Sequence, residues 1–153
     1  ASSRMTRKAA NRTAWLTAVG FLVLGLLVGA RLMPDTSYTF DFGEGRSAVS
    51  AIKITVPQYQ WERFFGDIKK FAERNSFEVR VAKPKSDKDL VFVDLWRPDM
   101  AISGGNVFEP QEFEIAFYID PEKGGTPEVA AEVEQALKNA IASVPGAKVD
   151  SKE

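Results

Sequence analysis

The sequence predicts an α+β protein: one transmembrane helix near the amino terminus, then one outer domain with two helices against a mainly antiparallel sheet. Three observations carry that prediction. Residues 13–30 form an uncharged run of eighteen, about the length an α-helix needs to cross the hydrocarbon core of a bilayer. Two later stretches repeat apolar residues at three- and four-residue steps. Between and around them lie short segments in which apolar and polar residues alternate, the period of half-buried strands.

The first element is a basic tail, residues 1–12, with Arg4, Arg7, Lys8 and Arg12 and no acidic residue. It leads into the helix expected over residues 13–33. Nine Leu, Val or Phe residues between Ala14 and Ala30 contribute roughly −3 to −5 kcal/mol on the insertion scale, offset in part by glycine and Thr17. Trp15 lies where an amphipathic ring prefers the headgroup level. The small residues Val28-Gly29-Ala30 would also suit a cleaved secretory signal. The run is longer than the ~7–15 apolar residues of a signal core, which favours a retained anchor. Four basic residues before the span predict a cytoplasmic amino terminus and an outer domain in the periplasm, with an organelle inner membrane as the other setting. Gly25 and Gly29 make a GxxxG pair that lets a second helix approach closely.

Residues 34–48 are expected to be a linker or an edge strand, because Tyr38 to Phe42 alternate. Residues 49–153 then form the outer domain. Its first strand covers Ile52 to Val56. After Pro57, Trp61, Phe64, Phe65, Ile68, Phe71 and Ala72 line one face of a helix that Asn75-Ser76 ends. Phe77, Val79 and Val81 alternate in the next strand. The polar tip Lys85-Ser86-Asp87-Lys88-Asp89 separates it from a strand over Leu90 to Trp96. A long loop is expected between Arg97 and Gln111, with Ser103-Gly104-Gly105-Asn106 at its middle. Phe113, Ile115, Phe117 and Ile119 mark a further strand. Thr126 as N-cap, Pro127 at the first helical position and Glu128 in the first turn announce the second helix. Its stripe runs from Val129 to Val144 and stops at Pro145-Gly146. A short strand at Ala147 to Val149 closes the domain. The order matches a split βαβ, or ferredoxin-like, sandwich.

Composition narrows the chemistry. The chain has no histidine and no cysteine, so His- and Cys-based catalytic constellations and the usual zinc, copper, haem and iron–sulfur ligands are unavailable. From Thr36 onward there are 15 basic and 20 acidic residues, net −5, which argues against nucleic-acid binding. Asp87 and Asp89 lack the twelve-residue calcium loop. Glu112 and Glu114 share a strand face and read as its wet side rather than as a glycosidase pair. No cofactor, no metal and no catalytic residue is expected.

The expected function is that of a non-catalytic, single-pass membrane subunit whose outer domain docks onto or organises a larger membrane complex. Its partners would be lipid and other membrane subunits. The candidate contacts are Ile102, Val107 and Phe108 in the 98–111 segment, whose apolar residues a loop rarely gives to solvent, followed by Trp96 and Arg97. The alternative is a membrane-anchored sensor or envelope-polymer binder that uses the same segment as a lip.

Overall fold

The computed structural model describes residues 45–152. The anchor expected at 13–33, its Gly25 and Gly29, and the alternating stretch at 38–42 lie outside them. Among the described residues no helix is long and apolar enough to cross a membrane.

Six strands and two helices follow one another as β1 (Ser47–Thr55), α1 (Trp61–Arg74), β2 (Glu78–Ala82), β3 (Phe92–Arg97), β4 (Met100–Glu109), β5 (Glu112–Ile119), α2 (Pro127–Ile141) and β6 (Lys148–Lys152). One sheet contains all six strands in the order β2-β3-β4-β5-β1-β6. Every neighbouring pair is antiparallel. It follows that β5 and β6 run parallel on either side of β1, joined by α2, while β2 to β5 form a meander. The domain is α+β, as the two periodicities predict.

Both helices pack on one face of the sheet. The apolar stripe of α1 is buried at every position read from the sequence, Trp61, Phe64, Phe65, Ile68, Phe71 and Ala72. On α2, Ala130, Val133, Leu137 and Ile141 are buried. They meet the inward set of the strands, including Ile52, Ile54, Val93, Leu95, Phe113, Ile115 and Phe117. Phe113 is the hub of this layer. Its ring centroid lies 5.8 Å from Trp61, 5.1 Å from Phe64 and 5.9 Å from Phe65, in tilted or edge-on arrangements that aromatic quadrupoles favour.

The helix ends follow local chemistry. The Thr126 hydroxyl accepts from Val129 N–H at 3.2 Å, so the N-cap expected from sequence is made. Asn75 Nδ2 donates to the Phe71 carbonyl at 2.8 Å at the close of α1. Beyond it Ser76 takes φ of 60°, the left-handed turn that ends many helices.

One prediction fails. The 98–111 segment is not a long loop: Pro98 and Asp99 make a tight turn and β4 starts at Met100. The glycine pair belongs to the strand. A Cβ on Gly104 would collide with the Glu114 carbonyl, and one on Gly105 with the Val91 carbonyl. These glycines let backbones approach closely, a use of glycine inside strands that looks like flexibility in a bare sequence.

Candidate functional site

The face of the sheet turned away from the helices carries no described element, and the register fixes which residues share it. One row across the strands reads Glu78, Trp96, Ala101, Tyr118 and Ala48. The next reads Arg80, Asp94, Ser103, Ala116 and Ala51. The third reads Ala82, Phe92, Gly105, Glu114 and Lys53. Large side chains on β3 and β5 therefore flank small ones on β4 and at Ala116 and Ala51. The result is a trough of about 390 Å³. Its floor is Ala51, Ser103, Gly105 and Ala116, and Phe92, Tyr118, Val107 and Phe108 stand around it.

A polar knot holds the middle of this face. Asp94 is only 3% exposed. Arg80 donates to its Oδ2 through Nε at 3.3 Å and Nη2 at 3.0 Å, and Ser103 Oγ donates to Oδ1 at 2.6 Å. Both carboxylate oxygens are thus bonded, as a buried charge requires.

The rim of the trough is built by Asn106. Its Oδ1 accepts from Val91 N–H at 2.6 Å, and its Nδ2 donates to the carbonyls of Asp89 at 2.6 Å and Pro110 at 2.7 Å. The side chain is 4% exposed. The β4–β5 register breaks between Gly105 and Glu109, a bulge that frees the residues after Asn106 from the ladder and re-aims them. Those residues are Val107 and Phe108, 58% and 78% exposed.

The five contact residues picked from sequence separate cleanly. Val107 and Phe108 are exposed on the rim. Trp96 is half-buried on the open face, two residues along β3 from Asp94. Ile102 is fully buried in the helix-side core, so it does not belong to a contact surface. Alternation along β4 explains this, since Ile102 points opposite to Ala101 and Ser103. Arg97 is engaged inside the domain. It pairs with Asp99 through Nε at 2.7 Å and Nη2 at 3.1 Å, donates from Nη1 to the Asn75 carbonyl at 2.9 Å, and lies 4.6 Å from the Phe77 ring centroid. It clamps the β3–β4 turn to the end of α1.

Sequence reasoning missed Phe92, Tyr118, Asp94 and Asn106. The aromatic residues of the open face alternate in their strands, but the bulge and the small floor opposite them are visible only once the strands are paired. Among the described residues no group of three or more acidic, histidine or cysteine side chains is placed to hold a metal ion. Asp87 and Asp89 fold onto their own turn, Asp87 Oδ1 accepting from Asp89 N–H at 3.0 Å. Glu112 meets Lys53 at 3.5 Å. Compared with known proteins, the chain matches no family model and no curated protein.

Proposed function

We propose that this protein is a non-catalytic, single-pass membrane subunit whose outer domain docks onto a larger membrane complex through the open sheet face. The amino terminus would lie in the cytoplasm and the domain in the periplasm, or the equivalent side of an organelle inner membrane, because four basic residues precede the apolar span. The β5–α2–β6 unit, its parallel strands divided by β1, supports a ferredoxin-like plan widened by β2 and β3.

One observation carries the docking role. Two adjacent apolar residues, Val107 and Phe108, are exposed at the rim of a trough with aromatic walls. They are fixed there by a fully bonded, buried asparagine. Exposed apolar side chains on a rigid support mark interaction sites, and aromatic anchors dominate interface energetics. The alternative, a binder of a small ligand or envelope polymer, draws on the same trough, whose volume falls within the ~300–1,000 Å³ of ligand sites.

A photo-crosslinking amino acid at position 108, in the full-length protein in its own membrane, tests the docking role. The expected result is a discrete cross-linked membrane subunit, lost when the probe is moved to Glu132 on the exposed side of α2. Labelling of lipid or polymer alone would favour the alternative.

A further inference from the structure

Rim and trough are a projection and a hollow side by side on one face. Val107 and Phe108 project, 58% and 78% exposed, beside a floor of Ala51, Ser103, Gly105 and Ala116. At that exposure Phe108 does not fill the hollow next to it. With a volume of about 390 Å³ the hollow has room for a phenyl ring, since about 150 Å³ is enough to hold benzene. The charges of the lining are met within the domain. Arg80 and Ser103 bond both oxygens of Asp94. Glu114 has contacts of its own and lies opposite Lys53, which has Asp150 on its other side. The hollow therefore selects an occupant by apolar shape and not by charge.

Resting on the docking reading above, we infer that the chain received on this face is a second copy of the same protein, the two copies exchanging Val107 and Phe108 reciprocally. A two-fold axis parallel to the sheet, midway between rim and hollow, brings Phe108 of each copy over Ala51 and Ala116 of the other. Such an isologous contact uses one patch twice and closes at two copies. It covers the projecting ring and the hollow in both copies at once. A different partner would have to supply a matching hollow and a matching projection together. Opposite charges alternate across the face, Arg80 beside Asp94 and Lys53 between Glu114 and Asp150, so the face can meet itself without opposing a block of like charge. Asn106 holds the projection in place through three hydrogen bonds, and a preorganised projection loses little freedom on being received.

The chain has no cysteine of its own, so single introduced thiols report which surfaces meet. Two differently tagged full-length copies are co-expressed in the membrane, one with Val107→Cys and the other with Ala116→Cys, and treated with a short bis-maleimide. The expected result is a cross-link joining the two tags, at least tenfold above that of a control pair. In the control the second thiol is moved from the trough to Glu132→Cys, on the exposed side of α2. Adding Phe108→Ser to both copies should remove the excess, and so should Ala51→Leu, which fills the floor of the hollow. Equal cross-linking of the test and control pairs overturns the inference, as does an excess that survives Phe108→Ser. If the pairs are equal while the photo-probe at position 108 captures a different membrane subunit, the second copy is wrong and docking stands. If that probe captures no protein, docking itself falls.

Discussion

Asn106 determines what the two residues after it do. Its three hydrogen bonds tie the end of β4 to the backbone at 89–91 and at Pro110, and Val107 and Phe108 project into solvent from that tied end. In sequence Ile102 and Phe108 look alike, apolar residues on either side of a glycine pair. Only pairing separates them, because the strand sends Ile102 inward and the bulge sends Phe108 outward. Ile102→Ala should therefore cost about 2–5 kcal/mol through lost burial and the cavity left behind. Val107→Ser with Phe108→Ser should leave the denaturation midpoint within the ~0.5 kcal/mol usual for surface changes. Urea unfolding of the two variants checks this, and a double variant as unstable as Ile102→Ala would place the rim in the core. A second residue links stability to pH. Burial pushes the Glu134 carboxyl up, but hydrogen bonds from Lys138 and Ser50 and the charge of Lys138 outweigh it, and the net effect is a lowered pKa. A carboxyl that is more acidic when folded adds stability above its ordinary unfolded value, and loses it as pH falls through the lower folded value. Wild type should therefore lose stability more steeply than Glu134→Gln as pH drops from about 5 toward 3. Parallel curves from thermal scans would remove Glu134 from that account.

At the scale of elements, legibility followed the strength of the period. The helices were readable because each shows several turns of unbroken stripe, and Thr126-Pro127-Glu128 marks a start that the structure makes with a real cap. Strands β1, β2, β3 and β5 were readable because strong alternation survives even when the ends shift by a few residues. Strand β4 was not. Its outward positions are Ala101, Ser103 and Gly105, side chains too small to register as a polar or an apolar face, and its glycines resemble loop punctuation. The physical reason they are glycine is steric. Gly105 has the Val91 carbonyl in the way of any Cβ, whereas Gly66 in α1 has open space. Substituting alanine at the two sites should then give opposite signs. Gly105→Ala should destabilise by about 1–3 kcal/mol, as overpacking does. Gly66→Ala should stabilise by about 0.5–1 kcal/mol through helix propensity. Denaturant midpoints decide it, and a neutral Gly105→Ala would mean that β4 has slack where the trough needs a rigid floor.

At the scale of the whole molecule, a docking face and an anchor would divide the work of the proposed subunit. The strands leave one face to the helices and the other without a described cover, while the charge pattern of residues 1–31 predicts an orientation for the proposed anchor. A reporter enzyme fused after Glu153 should be active only outside the cytoplasm, because four basic residues resist translocation; cytoplasmic activity would reverse the assignment. Tethering then matters as much as contact. If the proposed anchor holds the domain at a bilayer, that confinement would turn a weak docking event into an effectively intramolecular one at raised local concentration. In the proposed subunit Gly25 and Gly29 would offer a second contact inside the lipid, where close backbone approach stabilises helix pairs. The two contacts make separable predictions. Gly25→Leu with Gly29→Leu should weaken helix–helix association measured in the membrane and lower the yield of the cross-link from position 108 several-fold without changing its product. The rim variant Val107→Ser with Phe108→Ser should do the reverse, keeping helix association and losing the partner, read with the photo-probe moved to Tyr118 in the trough wall. If the glycine change leaves both readouts unaltered, the anchor is only a tether, and all partner selection resides in the open face of the sheet.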